Sequence, residues 1–117
     1  MITLRDVKKS ISGDAANWRV YLMDFVDDFR YYKDPQAIAD SFGLTDKRMD
    51  AVLASTAEYL CDELNIKPPP WLARVPACAA LYFVSGMESL KAIALVESPL
   101  RFRIRKIFVL ENFLHRV

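Results

Sequence analysis

The run SPLRFRIRKIF, residues 98–108, sets Arg101, Arg103, Arg105 and Lys106 into six consecutive positions and threads Phe102 and Ile104 between them. Cationic groups clustered this way can neutralise phosphates, pair with carboxylates of the same chain, or reach an acidic patch on a partner protein. Asp24, Asp27 and Asp28 form a second cluster, whose i, i+3, i+4 spacing puts three carboxylates on one helical face. Such a face can hold a divalent cation, but with no histidine or Glu-x-x-His element beside it the reading is solvated surface. His115 is the single histidine, and Cys61 and Cys78 lack CxxC spacing, so a zinc site would need distant carboxylates. No metal and no cofactor is expected. The chain carries no GxSxG, Walker loop, GxGxxG or HExxH pattern, so no catalytic residue is assigned. Any catalysis would have to come from carboxylates and arginines brought together by the fold.

These groups must be positioned by a chain of 117 residues, the length of one ordinary domain, and residues 1–117 are read as one globular unit. Hydrophobic residues at 53 % exclude disorder, and three glycines are too few for an all-β fold rich in tight turns. Apolar content this high in a small domain leaves surplus apolar surface, so a homodimer is expected. The start, MITLRDVKKS, has no apolar leader, and the longest apolar run, residues 77–84, is far short of the roughly 20 residues that span a bilayer. The expectation is a cytoplasmic protein without membrane contact.

Charge is unevenly spread. Residues 1–65 hold eight Lys/Arg against twelve Asp/Glu, whereas residues 66–117 hold eight against three, so the halves carry −4 and +5. The plainest reading is attraction between the halves inside one fold; a head-to-tail oligomer, or acidic and basic faces for different ligands, are the alternatives.

Thr3 with Asp6 has capping-box spacing and leads into Leu4, Val7 and Ile11, a short helix stopped at Ser12-Gly13. Asp14 precedes a stronger helix in which Trp18, Leu22, Phe25 and Phe29 recur along one face, ending near Tyr32 because Asp34-Pro35 disfavours continuation. A long helix follows from Asp46 to about Leu64, with Met49, Val52, Leu53, Leu60 and Leu64 as its stripe and Asn65 as its stop. Lys67-Pro68-Pro69-Pro70-Trp71 is an extended connector that holds Trp71 at a set distance, either as a plug in the core or as an exposed anchor for a partner. Residues 77–84 are continuously apolar, where periodicity cannot separate strand from helix; their alanines favour helix. Ser85 and Glu88 suggest a further capping box leading into Leu90, Ile93 and Ala94, and Ser98-Pro99 restarts a helix with a good N-cap and N1 residue. The expected architecture is all-α, a compact bundle-like domain of five to seven helices with a Pro-rich extended connector.

Two segments admit sharper readings. QAIADSFGLTDKRMDAVL, residues 36–53, resembles a helix-turn-helix: Ile38 and Ala39 pack a first helix, Gly43 makes the turn, and Thr45, Lys47 and Arg48 meet nucleic acid from the second. Asp46 and Asp50 offset those cations, which opposes phosphate approach. The stretch 98–108 alternates as a strand only as far as Arg105; as a helix it places Leu100, Ile104, Ile107 and Phe108 on one stripe with Arg101 and Arg105 on another side. The helix accounts for more residues, and the plentiful carboxylates of residues 1–65 are the first candidates to pair with its arginines.

Beyond these local signals, YLMDFVDDF at residues 21–29, the long middle helix, Pro70-Trp71, Tyr82-Phe83, Ser98-Pro99, Phe102-Arg103, Arg105 and Phe108-Val109 carry a resemblance. From about Tyr21 onward the chain resembles an uncharacterised bacterial family whose members stand alone or follow a helix-turn-helix domain. The resemblance implies a regulatory or antitoxin-like partner of nucleotidyltransferase-like proteins, with DNA binding left to the separate N-terminal domain of longer members. The expected function is therefore a non-catalytic protein-binding module, with Trp71, Tyr82, Arg101, Arg103, Arg105 and Lys106 meeting the partner. A nucleic-acid-binding regulator is the first alternative and a small enzyme the second.

Overall fold

The computed structural model describes residues 1–115, and the chain is mostly α-helical with one very short pair of strands. Helix α1, Leu4–Gly13, opens on the capping box: the Thr3 hydroxyl accepts from the Asp6 N–H, and the Asp6 carboxylate accepts from the Thr3 N–H. It buries Leu4, Val7 and Ile11, and also Lys8. A single 3₁₀ turn at Ala15–Asn17 leads into α2, Trp18–Tyr32, which buries Leu22, Phe25, Val26 and Phe29 and stops on a left-handed Lys33. A second 3₁₀ turn, Pro35–Ile38, is capped by Asp34, whose side chain accepts from the Gln36 N–H.

Helix α3, Lys47–Leu64, is the central element. Asp46 caps it by accepting from Met49 N, and a left-handed Asn65 ends it. Every residue from Asp50 to Glu58 is buried, because α1, α2, the short helix α4 (Pro70–Ala73) and α6 (Leu100–Arg103) all pack against α3. Helix α5, Lys91–Glu97, lies between a 3₁₀ turn at Glu88–Leu90 and the Ser98-Pro99 corner. The six helices fall within the expected five to seven. One cluster of buried side chains joins α1, α2, α3, α4 and α6, and no helix among the described residues is long and apolar enough to cross a membrane.

Two expectations change. Residues 77–84 do not form a helix: Tyr82–Phe83 is strand β1, paired in parallel with β2, Ile107–Phe108, in the register Tyr82 to Ile107 and Phe83 to Phe108. Nor is 98–108 one helix. Its α-helical part ends at Arg103, and Lys106 adopts φ +63°, a left-handed turn that swings the chain into β2. The carbonyls of Arg105, Lys106 and Phe108 then accept from the N–H groups of Cys78, Tyr82 and Val84 instead of continuing a helix. The phase of the apolar stripe shifts accordingly: Phe102 and Ile107 are fully buried, whereas Leu100 and Ile104 face outward.

Buried polar groups are nearly all satisfied. Asp50, 2 % exposed, pairs with Lys8 and accepts from the N–H groups of Thr45 (3.0 Å) and Asp46 (3.1 Å) at the start of its own helix. Among the described residues, the Thr56 hydroxyl is the one buried side-chain polar atom without a hydrogen-bond partner.

Candidate functional site

The four cations of residues 101–106 divide into two pairs. Arg105 points inward from the turn after α6 and is 4 % exposed. Its guanidinium pairs with Glu58 and donates to the Leu72 carbonyl (2.7 Å), the Val75 carbonyl (3.2 Å) and the Ser55 hydroxyl (3.4 Å). It ties α3, the end of α4 and the approach to β2 into one knot. Arg101 forms a two-pronged bond to Asp62 at 2.7 and 2.9 Å and also faces Glu58 at 3.6 Å. The Asp62 bond raises the Arg101 pKa above its ordinary value. These contacts join the basic half to the acidic half, so part of the charge asymmetry is resolved inside the fold.

Arg103 and Lys106 remain. Both are exposed; Arg103 donates to the Leu95 carbonyl at 2.9 Å, and among the described residues neither forms an ion pair. The least expected feature of the surface is a run of exposed aliphatic side chains along the same stretch of chain. Ile93, Leu95 and Val96 of α5 are 46, 42 and 79 % exposed, and Leu100 and Ile104 on either end of α6 are 72 and 55 % exposed. Leu100 and Ile104 are four residues apart on a helical turn and therefore neighbours on one side. The sequence reading places Ile93 along a helix and Leu100 and Ile104 on the apolar stripe of another. The available signal was the surplus: KAIALVE carries apolar residues all round a seven-residue helix, more than one face can bury.

The aromatic candidates are half-buried. The Trp71 indole N–H donates to the Ile38 carbonyl at 2.9 Å, and its ring meets Phe42 edge-on at 5.3 Å between centroids, so it plugs the junction after the proline connector. Tyr82 lies under Arg48, whose guanidinium carbon sits 5.0 Å from the ring centroid. An element of the nucleic-acid reading and one of the protein-binding reading thus touch each other.

Thr45, Lys47 and Arg48 are exposed, but the helix pair meant to present them is missing. Between the end of α2 and Gly43 the only helical turn is the four-residue 3₁₀ segment Pro35–Ile38, and residues 39–46 contain no helix. Two carbonyls there are taken by side chains: Ile38 O by the Trp71 indole and Ser41 O by Arg5 at 3.0 Å. The aspartates of α2 also have local roles. Asp28 accepts from the Ile2 N–H at 2.7 Å, and among the described residues no group of three His, Cys, Asp or Glu is placed to hold a metal ion.

Several ionisations are displaced for structural reasons. Burial pushes the Cys61 thiol up to about 11 and raises Cys78 as well. Asp14 is lowered by hydrogen bonds from Asn17 and Tyr21, and the same bond raises Tyr21. Arg30 is raised by its two-pronged bond to Glu63. None of these groups lines the half-enclosed cleft of about 370 Å³ between α2, Val84-Ser85 and residues 109–115. The chain matches no family model, no curated protein and no solved structure.

Proposed function

We propose that the chain is a non-catalytic protein-binding module whose α5–α6 face docks onto an apolar, acid-rimmed patch of another protein. The observation that carries this reading is the exposure of five large aliphatic side chains from Ile93 to Ile104, along a stretch that also carries Arg103 and Lys106, two exposed cations that form no ion pair among the described residues. Covering Val96, Leu100 and Ile104 would contribute about 3–6 kcal/mol at the usual value per buried aliphatic side chain, discounted for their partial exposure. Arg103 and Lys106 at the rim supply orientation and selectivity for acidic partners. A second copy is the weaker complement, because a two-fold interface here brings the Arg103 and Lys106 of both copies together. A nucleotidyltransferase-like protein, the partner class implied by the resemblance, is the first to test.

Nucleic acid is also a weaker fit. With Arg101 and Arg105 committed to carboxylates, this stretch offers two free cations, and two phosphate contacts give a log–log salt slope of only about −2. The test uses the Val96→Asp/Leu100→Asp variant in calorimetric titration against a nucleotidyltransferase-like protein of the same organism, with sedimentation of each protein alone as control. A specific 1:1 complex that the variant weakens at least tenfold supports the proposal. A complex indifferent to the variant, a homodimer that the variant dissolves, or no complex counts against it.

A further inference from the structure

The cleft between α2 and residues 109–115 shares no residue with the α5–α6 face. Its walls are Leu22 and Met23 of α2, Val84 after β1, and Val109, Leu110 and Phe113 of the closing segment. A volume of about 370 Å³ lies within the range of ordinary small-ligand sites. Among the described residues its polar lining consists of Arg19, Ser85, Asn112 and His115, with no Asp or Glu. That absence separates it from the four other clefts described, which carry Glu97 and Glu111, Asp46, Asp6 and Asp24, or Asp62 and Glu63.

Arg19 is held in place without being neutralised. Its guanidinium carbon lies 5.2 Å from the Trp18 ring centroid and 5.9 Å from that of Phe113, and Nη2 donates to the Val84 carbonyl at 3.2 Å. Among the described residues that is the one hydrogen bond of its side chain, and it forms no ion pair, which leaves most of its five N–H donors available to a ligand or to solvent. A cation braced by two rings over an apolar slot is complementary to a molecule with an anionic head and a hydrocarbon body.

We infer that this cleft binds a medium-chain carboxylate, with its head on Arg19 and its chain between Leu22, Val84 and Phe113. The inference is independent of the proposed protein docking. It is tested on the full chain by calorimetric titration with octanoate below its micellar concentration, with octanol as the uncharged match and Arg19→Gln as the variant. Arg19 is exposed on the surface of α2, so the substitution leaves folding intact, which circular dichroism verifies. The expected result is saturable 1:1 binding of octanoate at least tenfold tighter than octanol, with the preference abolished in Arg19→Gln. Absence of saturable octanoate binding overturns the inference. Equal affinity for octanol, or an Arg19→Gln variant that keeps the preference, overturns it as well, since Arg19 then contributes no recognition.

Discussion

Replacing Arg105 by Met keeps most of the side chain's length and removes its charge and all of its donors. Glu58, 3 % exposed, is left with Arg101 at 3.6 Å as its remaining cation, and the carbonyls of Leu72 and Val75 lose their side-chain donors. Breaking a buried pair from one side costs about 3–5 kcal/mol; the surviving Arg101 contact eases the Glu58 part and the loss of the Val75 carbonyl's side-chain donor adds to it, while the Leu72 carbonyl keeps the Val75 N–H at 3.1 Å, so about 4 kcal/mol is expected. A domain of this length has total stability of about 6–18 kcal/mol, so the variant should fold but melt about 12–20 °C lower. The double variant Glu58→Leu/Arg105→Met removes both charges. Its remaining deficit is chiefly the Val75 carbonyl, and it should be more stable than the sum of the single substitutions requires by at least about 2 kcal/mol. Urea unfolding followed by far-ultraviolet circular dichroism measures all three. A loss below about 1 kcal/mol for Arg105→Met, or strict additivity in the double variant, would refute the assignment of Arg105 as an internal strut.

Arg103→Glu offers the contrast: on an exposed site without an ion pair it should cost no more than about 0.5 kcal/mol in the same unfolding assay, although the charge alternates with Arg105 in sequence. Asp50→Ala removes the acceptor of two helix-start N–H groups and the partner of Lys8, and thermal melting should show a loss of about 3–4 kcal/mol, with Asp50→Asn in between. Native Cys61 should resist thiol reagents at pH 8 and react once urea unfolds the chain. Because its folded pKa of about 11 lies above the ordinary 9.0, its contribution is intact below pH 9 and declines toward pH 11, as the unfolded thiol ionises first; Cys61→Ala should flatten that alkaline decline in pH-dependent melts.

Where local chemistry decides an element, the residues announced it. The Thr3–Asp6 capping box, Asp46 before α3 and Asn65 after it all appear where their side chains predict, because each cap acts within a few residues of chain. Besides the helix-turn-helix and the Ser85–Glu88 capping box, which does not form because the turn there starts from Met87 without a side-chain cap, two stretches depart from expectation, residues 77–84 and 98–108, the partners of one parallel strand pair. Neither stretch contains the reason for its own conformation: the N–H groups of Cys78, Tyr82 and Val84 find acceptors about 25 residues away, and that pairing overrides the helical preference of Ala77, Ala79 and Ala80 and the good start at Ser98-Pro99. The same reversal of phase explains the site. Arg105 was legible as a charge seeking a carboxylate but not as the buried one, and Leu100 and Ile104 were legible as apolar but not as surface. The cleft beneath Arg19 left no local trace, since its walls come from α2, the end of β1 and the closing segment.

The knot around Arg105 also bears on how the chain reaches this state. Its partners lie 47 and 50 positions back, at Glu58 and Ser55, and 30 back, at Val75, and the guanidinium gains from leaving water only when all are assembled. Desolvating it earlier would incur the cost of burial without the compensating contacts, so the knot closes on the native side of the folding barrier. Arg105→Met should therefore accelerate unfolding while scarcely slowing refolding, a low φ-value in stopped-flow measurements. In that respect Arg105 works as a latch: it sets how long the domain stays folded more than how fast it folds.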